Sequence, residues 1–301
     1  MDNLQDQQYT QQSTNASKHP RFVVINGDDF GFSSGVNRAI AEAHDRGVLT
    51  STSLMVTGAA FEEAVELAKA RPNLAVGLHL VLTCGRSVLP PSQIPHLVDA
   101  QGYFSDQPNY TGWRYQFSRA ARRELPLEIR AQLEKFRQTG LPLSHVDGHL
   151  HLHVHPVVLR HLADLADEFK IRFIRLPSEE LTSTLKIDRS DLWTKLLWFT
   201  VYGGLRRYGE HVLKKKGIQY VDRVYGLLQS GRMTEDYLLN LIPKIQADRV
   251  EIYSHPAIAI SGEPSNGPLG LGFAELEALL SEQVRDRFLQ NGFTLTNYLE
   301  Q

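Results

Sequence analysis

The sequence predicts an α/β fold, most simply a distorted (β/α) barrel of about seven strands forming a single domain. Two observations carry this. Short β-branched or aliphatic runs alternate along the chain with segments of helical periodicity, the pattern of a largely parallel sheet. Polar, chemistry-bearing residues also recur where those runs end, as they do at the C-terminal face of a barrel. An open doubly wound sheet is the alternative. Arg21–Ile25 reads as the first strand. Ser34–Arg46 reads as a helix capped by Ser33 or Ser34 and stopped by Gly47. Val48–Val56 is a candidate strand, Ala60–Ala70 a helix and Leu74–Leu82 a strand. Residues 86–118 are rich in Pro, Gly and Tyr and read as an insertion with little regular structure. A helix over Pro126–Thr139 precedes a histidine-rich strand, the helix Val157–Phe169 and the strand Ile171–Leu176. A helical region 189–216, strand Ile218–Val224, helix Thr234–Gln246 and strand Val250–Tyr253 follow. A Gly/Pro-rich loop 261–272 and a helix 274–290 complete the pattern.

The 301 residues suit one large α/β domain. Net charge −2 argues against nucleic acid as a partner. The lone Cys84 excludes an internal disulfide and suits a reducing cytoplasm. Residues 1–20 are Gln-, Asn- and Ser-rich and read as a disordered tail. No run approaches the ~20 apolar residues of a membrane span, and no glycine-rich phosphate loop appears.

The densest signal is the run His145, Asp147, His149, His151, His153 and His155, with Val or Leu at most of the positions between. Read as one extended strand, it puts imidazole and carboxylate on one face and aliphatics on the other. Neutral imidazole is the commonest metal ligand. A catalytic metal rarely takes more than three protein ligands, so five histidines exceed one site. Other strand ends supply partners: Asp28 and Asp29 after Val23–Ile25, His79 after Gly77-Leu78, Arg175 with Glu179 just beyond, and His255 after Tyr253-Ser254. One Asp before a helix is an ordinary N-cap. Two adjacent ones behind an aliphatic strand can divide the work, one on a metal and one as general base. Asp29-Phe-Gly31 also spells the kinase magnesium tripeptide, but no kinase glycine loop or catalytic loop accompanies it.

Four motifs occur in order: Asn26-Gly-Asp-Asp-Phe-Gly31, Gly77-Leu-His79, His145-Val-Asp147-Gly-His149-x-His151-x-His153, and Ser254-His255-Pro256. Over about residues 21–297 the chain resembles the YdjC-like carbohydrate deacetylases. The segments Val88–Tyr103 and Gly226–Gly231 are similar to the hopanoid-biosynthesis (HpnK-like) branch. The resemblance implies N-deacetylation of an N-acetylated sugar, on an N-acetylglucosaminyl hopanoid lipid in that branch or on a chitooligosaccharide otherwise. It implies one divalent metal ion, Mg²⁺ or Zn²⁺, on Asp29, His79 and His149, with Asp28 as general base and His255 as general acid. Arg175 resembles an arginine that orients the base. Gly27 replaces a common Ala and Leu150 replaces a His of some members; neither is a proposed ligand. His145 and Asp147 are expected to support the ligands from behind. His151, His153 and Glu179 are expected to do so or to touch substrate.

Residues 192–202 are aromatic-rich and are followed by Arg206, Arg207 and Lys214–Lys216. Such a segment either packs on the barrel with a solvated basic end, or makes a peripheral contact with the inner membrane surface. An exposed apolar face could equally serve a homodimer. Two other functions compete: a non-haem Fe(II) oxygenase built on His145, Asp147 and His255, and a metal- or sugar-binding module without catalysis.

Overall fold

In the computed structural model, which describes residues 20–264, 266, 267 and 269–300, the chain forms a curled, largely parallel sheet flanked by helices. The expected N-terminal tail falls outside the described residues except for Pro20. β1 (Arg21–Phe30) runs into α1 (Ser34–Arg46), where the Ser33 side chain accepts from the Val36 amide and the Gly47 amide closes onto Ala43. β2 (Ser51–Leu54), α2 (Phe61–Lys69) and β3 (Ala75–Leu80) follow. β2 is shorter than the run 48–56 suggested: the paired register with β1 and β3 is confined to Ser51–Leu54, and Thr50 and Met55 add only isolated backbone bonds at its ends.

The insertion is more ordered than expected. Arg86 bridges Tyr103, Val98 bridges Phe104, and Pro108–Phe117 is a helix, α3, opened by the proline that helix starts favour. α4 (Arg119–Gln138) starts before the predicted Pro126, with Ser118 accepting from the Ala121 amide. The buried face Ala121, Leu125, Ile129, Leu133 and Phe136 runs across Pro126 without a break, so packing overrides the local breaker. β4 (Leu143–Gly148) and α5 (Pro156–Phe169) come next, then α6 (Leu181–Ile187), α7 (Leu192–Lys215), β5 (Arg223–Tyr225), α8 (Glu235–Leu241), β6 (Arg249–Ser254), α9 (Gly272–Leu280), α10 (Glu282–Gln290) and β7 (Phe293–Thr296).

The sheet order is β4-β3-β2-β1-β6-β5. β1 is the axis: along one edge Asn26–Phe30 pairs with β2 and Arg21–Val24 with β7, while its other edge takes β6. The strand β7 was not expected from sequence; it is four residues long, and Arg21 stacks on its Phe293. The predicted strand Ile171–Leu176 is reduced to single bridges, Val146 to Ile174 and Phe173 to Gln219. These carry the curl from β4 toward β5 and make the barrel a distorted one.

The largest departure concerns the histidine run. β4 ends at Gly148, where its partner β3 also ends (Leu80 pairs Gly148). With no neighbouring backbone to pair, His149–Val154 coils into a tight turn in which Leu150 and His151 have left-handed φ of 50° and 56°. The five histidines therefore do not share one strand face. His155 caps α5, its Nδ1 accepting from the Val157 amide at 3.3 Å.

α7 matches the predicted helical region, but its basic residues scatter. Arg206 is buried and donates to the carbonyls of Leu176 and Val221, and Lys216 pairs with Asp164. No described helix is long and apolar enough to cross a membrane.

Candidate active site at the mouth of the barrel

Parallel pairing carries the C-terminal ends of β1, β3, β4 and β6 to one face. There Asp28, Asp29, His79, His149, His151 and His255 all line one cavity of about 800 Å³. The backbone around it is strained. Among the described residues, the non-glycine positions with positive φ are Asp29, Cys84, Leu150, His151, Asp191 and Lys170. All but Lys170, which ends α5, line this cavity. Left-handed backbone disfavours residues with a Cβ, and such strain collects where a fold holds functional groups in place.

Asp29 is the centre of the polar cluster. Its Oδ1 lies 3.1 Å from His79 Nε2 and 3.0 Å from His149 Nδ1, and the three ligand atoms lie within 4.8 Å of one another. Ligands ~2.1 Å from a common ion at angles near 90–110° sit roughly 3.0–3.5 Å apart, so the two spacings fit a divalent cation. His79 Nδ1 is 2.8 Å from Asp147 Oδ1, the carboxylate that a metal-bound imidazole commonly needs behind it. Burial lowers the His79 pKa, but Asp147 and Asp29 outweigh it and push the value up to about 10. Burial raises the Asp29 pKa, and His149 and His79 together hold it well below the carboxylate range. A proton on this cluster therefore occupies the place a cation would take. A second acidic grouping, Asp28, His79 and Asp147, fits less well, because both its carboxylates are committed to Arg175 or to His79 Nδ1.

Asp28 is fixed from behind. Arg175 donates to both its oxygens at 2.7 Å, and Asn26 Nδ2 donates to Oδ1 at 2.8 Å. The Arg175 side chain has no exposure. It also donates to Glu251 through Nε (2.9 Å) and Nη2 (2.6 Å), and its Nη2 lies 2.8 Å from Asp147. Burial works to lower the Arg175 pKa; Asp147, Asp28 and Glu251 reverse this and hold it well above the ordinary value. Tyr298 completes the set by donating its hydroxyl to the other oxygen of Glu251. Sequence reasoning missed Glu251, Tyr298 and Asn26. The available signal was an acid inside the aliphatic run Val250-Glu-Ile252. Three buried carboxylates, Asp28, Asp147 and Glu251, share the Arg175 guanidinium, while buried Asp29 meets only the imidazoles of His79 and His149, so the cluster carries an excess of carboxylate over guanidinium that a divalent cation reduces.

His255 follows β6, its amide held by Glu275 at 2.6 Å. Its Nδ1 is buried with no protein partner although the residue lines the cavity. His145 is turned away: its ring stacks on Tyr298 at 4.4 Å and its Nδ1 meets Ser144 Oγ at 2.8 Å. A Cβ on Gly77 would fall 2.4 Å from that ring, so glycine at this point of β3 makes room for His145. The His145 Nε2 lies 3.7 Å from Asp147 Oδ2, but among the described residues the oxygenase-like set His145, Asp147 and His255 does not converge as a ligand group. His151 reaches Tyr253 Oη at 2.8 Å from the cavity wall, and burial, followed by Arg175, keeps its pKa well below the imidazole range. His153 meets the Arg175 carbonyl at 2.9 Å, and its pKa falls to about 4, chiefly through burial.

Glu179 does not line the cavity. It accepts from the amides of Gly226 and Leu228 at 2.8 Å and from Thr184 at 3.1 Å, and so braces the loop whose Leu227, Leu228 and Gln229 do line it. Burial raises its pKa from 4.5 to about 7. Between those values the folded state keeps a proton that the unfolded chain has lost, so stability falls as pH rises through that window. Gln at this position can accept from both amides and donate to Thr184. Glu179→Gln is expected to remove this slope, on the order of 3 kcal/mol at most. Melting temperatures measured from pH 4.5 to 7.5 check it; parallel curves for variant and wild type would show the slope lies elsewhere.

Fold and site together define a (β/α) barrel with a buried acid–histidine centre at its C-terminal mouth, able to take a divalent cation. The chain belongs to the YdjC-like protein family, whose model matches residues 22–290. A relative from Brevibacillus brevis named carbohydrate deacetylase is 46% identical over 149 residues, 50% of this chain and 57% of that protein. Another of that name, from Vibrio campbellii, is 30% identical over 294 residues, 92% of this chain and 94% of that protein. A solved structure from Enterococcus faecalis V583, described as a candidate cellobiose-phosphate cleavage protein, superposes with a TM-score of 0.72 at 26% identity. That match covers 94% of this chain and 99% of the other.

Proposed function

We propose that this chain is a hydrolase acting on a linear amide, which removes the acetyl group from an N-acetylated sugar with one divalent ion, Mg²⁺ or Zn²⁺, held by Asp29, His79 and His149. The observation that carries the reading is the placing of three groups in one cavity: the Asp29–His79–His149 cluster, the Arg175-clamped Asp28, and His255 with its unpartnered Nδ1. A binding module needs only the first.

When bound, the ion supplies Lewis acidity toward the amide carbonyl and toward water. Asp28 removes a proton from the attacking water, and Arg175 keeps both its oxygens in a fixed plane. His255 delivers a proton to the sugar nitrogen as the C–N bond breaks, so acetate and a free amine leave. Asp147 keeps His79 oriented through Nδ1. His151, held by Tyr253, forms part of the wall against which the sugar rests.

Trp198, Tyr202, Leu227, Leu228 and Leu269 give the cavity an apolar flank. This suits a sugar carried on a hydrophobic group, such as an N-acetylglucosaminyl hopanoid lipid. The same aromatic faces can stack on pyranose rings, which supports a chitooligosaccharide as the second reading. Acetate release from both substrates, with and without chelator, tests the proposal. Release that stops on chelation and resumes with Mg²⁺ or Zn²⁺ is expected. Release unaffected by exhaustive chelation removes the metal from the reading, and none from any N-acetylated sugar overturns it.

A further inference from the structure

Among the described residues, most of the exposed large apolar side chains belong to four segments that border the cavity. Trp113 and Phe117 of α3 stack on each other at 5.3 Å and are each 67% exposed. Leu150 stands on the 149–154 turn, and Leu269, Leu271 and Phe273 stand at the start of α9. The first half of α7 is the most open: Trp193 is 82% exposed and Leu197 58%. α3 and α7 both pack on the 149–154 turn, and Asn109, Leu150, Trp198 and Leu269 line the cavity itself.

Two details say what covers this face. Between Leu192 and Gly204 the only charged residue is Lys195, which is buried with its Nζ on Asp188. The Thr200 hydroxyl donates back to the Leu196 carbonyl. At ~100° per residue, exposed Leu192, Trp193, Leu197, Trp198, Phe199 and Val201 point to nearly every side of the helix. A second protein surface covers one side of a helix, whereas lipid can fill in around every side of α7 that is not packed on the barrel. The chain's three tryptophans, Trp113, Trp193 and Trp198, all lie here, and tryptophan favours the membrane–water boundary. Next to α3, exposed Arg119, Arg122 and Arg123 form no ion pair among the described residues, and residues 108–123 contain no acid. That unbalanced positive charge complements anionic headgroups.

We propose that the mouth of the cavity seats on an anionic lipid bilayer, with α3 and the first half of α7 entering the headgroup region. The proposal goes beyond the deacetylase reading and is measured without turnover. It also relocates the membrane contact suggested by residues 192–216. Lys214–Lys216 lie ~30 Å along the helix from Trp193 and take no part.

The full chain is mixed with vesicles of equal parts phosphatidylglycerol and phosphatidylcholine, or of phosphatidylcholine alone. Cosedimentation with the mixed vesicles and a blue shift of tryptophan fluorescence are expected, with weaker binding to the neutral ones. Trp193→Ser with Phe199→Ser lowers the bound fraction about tenfold while circular dichroism shows an intact fold. Arg119→Gln, Arg122→Gln and Arg123→Gln together abolish the preference for phosphatidylglycerol, and Lys214→Glu, Lys215→Glu and Lys216→Glu together leave binding unchanged. Absence of both cosedimentation and blue shift overturns the proposal. So does a dimer, seen by sedimentation velocity, that Trp193→Ser with Phe199→Ser dissociates and that binds no vesicles.

Discussion

Asp28→Asn is expected to leave a folded, metal-loaded protein whose acetate release falls by about 10²–10⁴-fold, the usual contribution of a general base. The substitution keeps the side chain's size and one acceptor oxygen. Arg175 loses half of a bidentate pair but keeps Glu251 and Asp147, so its charge stays compensated. Asp29, His79 and His149 are untouched, and metal content should equal that of the wild type. Asn cannot take up a proton from water, so the loss should appear in kcat rather than KM. Circular dichroism separates this from misfolding. Activity within about threefold of wild type would be too small a loss for a general base and would remove Asp28 from the proton transfer.

Much of this centre was legible before any coordinates. Asp28, Asp29, His79, His149 and His255 each stand at or just beyond an aliphatic strand, and parallel pairing does the rest. What was not legible depends on register and on where a strand stops. Glu251 belongs to the site because β6 pairs with β1 with Val24 opposite Glu251, which turns its carboxylate to the same interior as Arg175. One acid between Val and Ile does not reveal that pairing. Tyr298 lies beyond β7, a strand too short for periodicity to detect. The histidine run misled for a related reason. Strict alternation predicts a strand only while a neighbour exists, and β3 stops at Leu80. Past that point His149 turns toward Asp29, His151 toward Tyr253 and His153 beneath Arg175. What misled was the single strand face; the run's one proposed ligand, His149, is the one the resemblance implied. The aromatic stretch of α7 was visible, but its separation from the basic end becomes clear only when Lys216 is seen against Asp164.

His79→Ala is expected to cost both metal and activity. Among the described residues, His79 is the only side chain that touches Asp29 through one ring nitrogen and Asp147 through the other, so its loss removes a ligand and strands the carboxylate behind it. Two ligands on an open site hold a divalent ion weakly, and the purified variant should carry essentially none. Asp147→Asn keeps all three ligands and should weaken affinity by only about 10–100-fold, with activity recovering at high metal concentration. Stability gives a readout independent of turnover. An ion at 100–1,000 times its dissociation constant stabilises the fold by about 3–4 kcal/mol, so chelation should lower the wild-type melting temperature. The same chelation should leave His79→Ala unchanged, because there is no ion to remove. The cost of an empty site should be felt chiefly at Asp29, whose carboxylate then has only the imidazoles of His79 and His149 beside it, whereas Asp28, Asp147 and Glu251 keep Arg175. Full metal occupancy in His79→Ala would overturn the ligand assignment. A chelator-insensitive wild type whose metal analysis shows no bound ion would leave a proton shared by Asp29, His79 and His149 as the charge that balances the cluster.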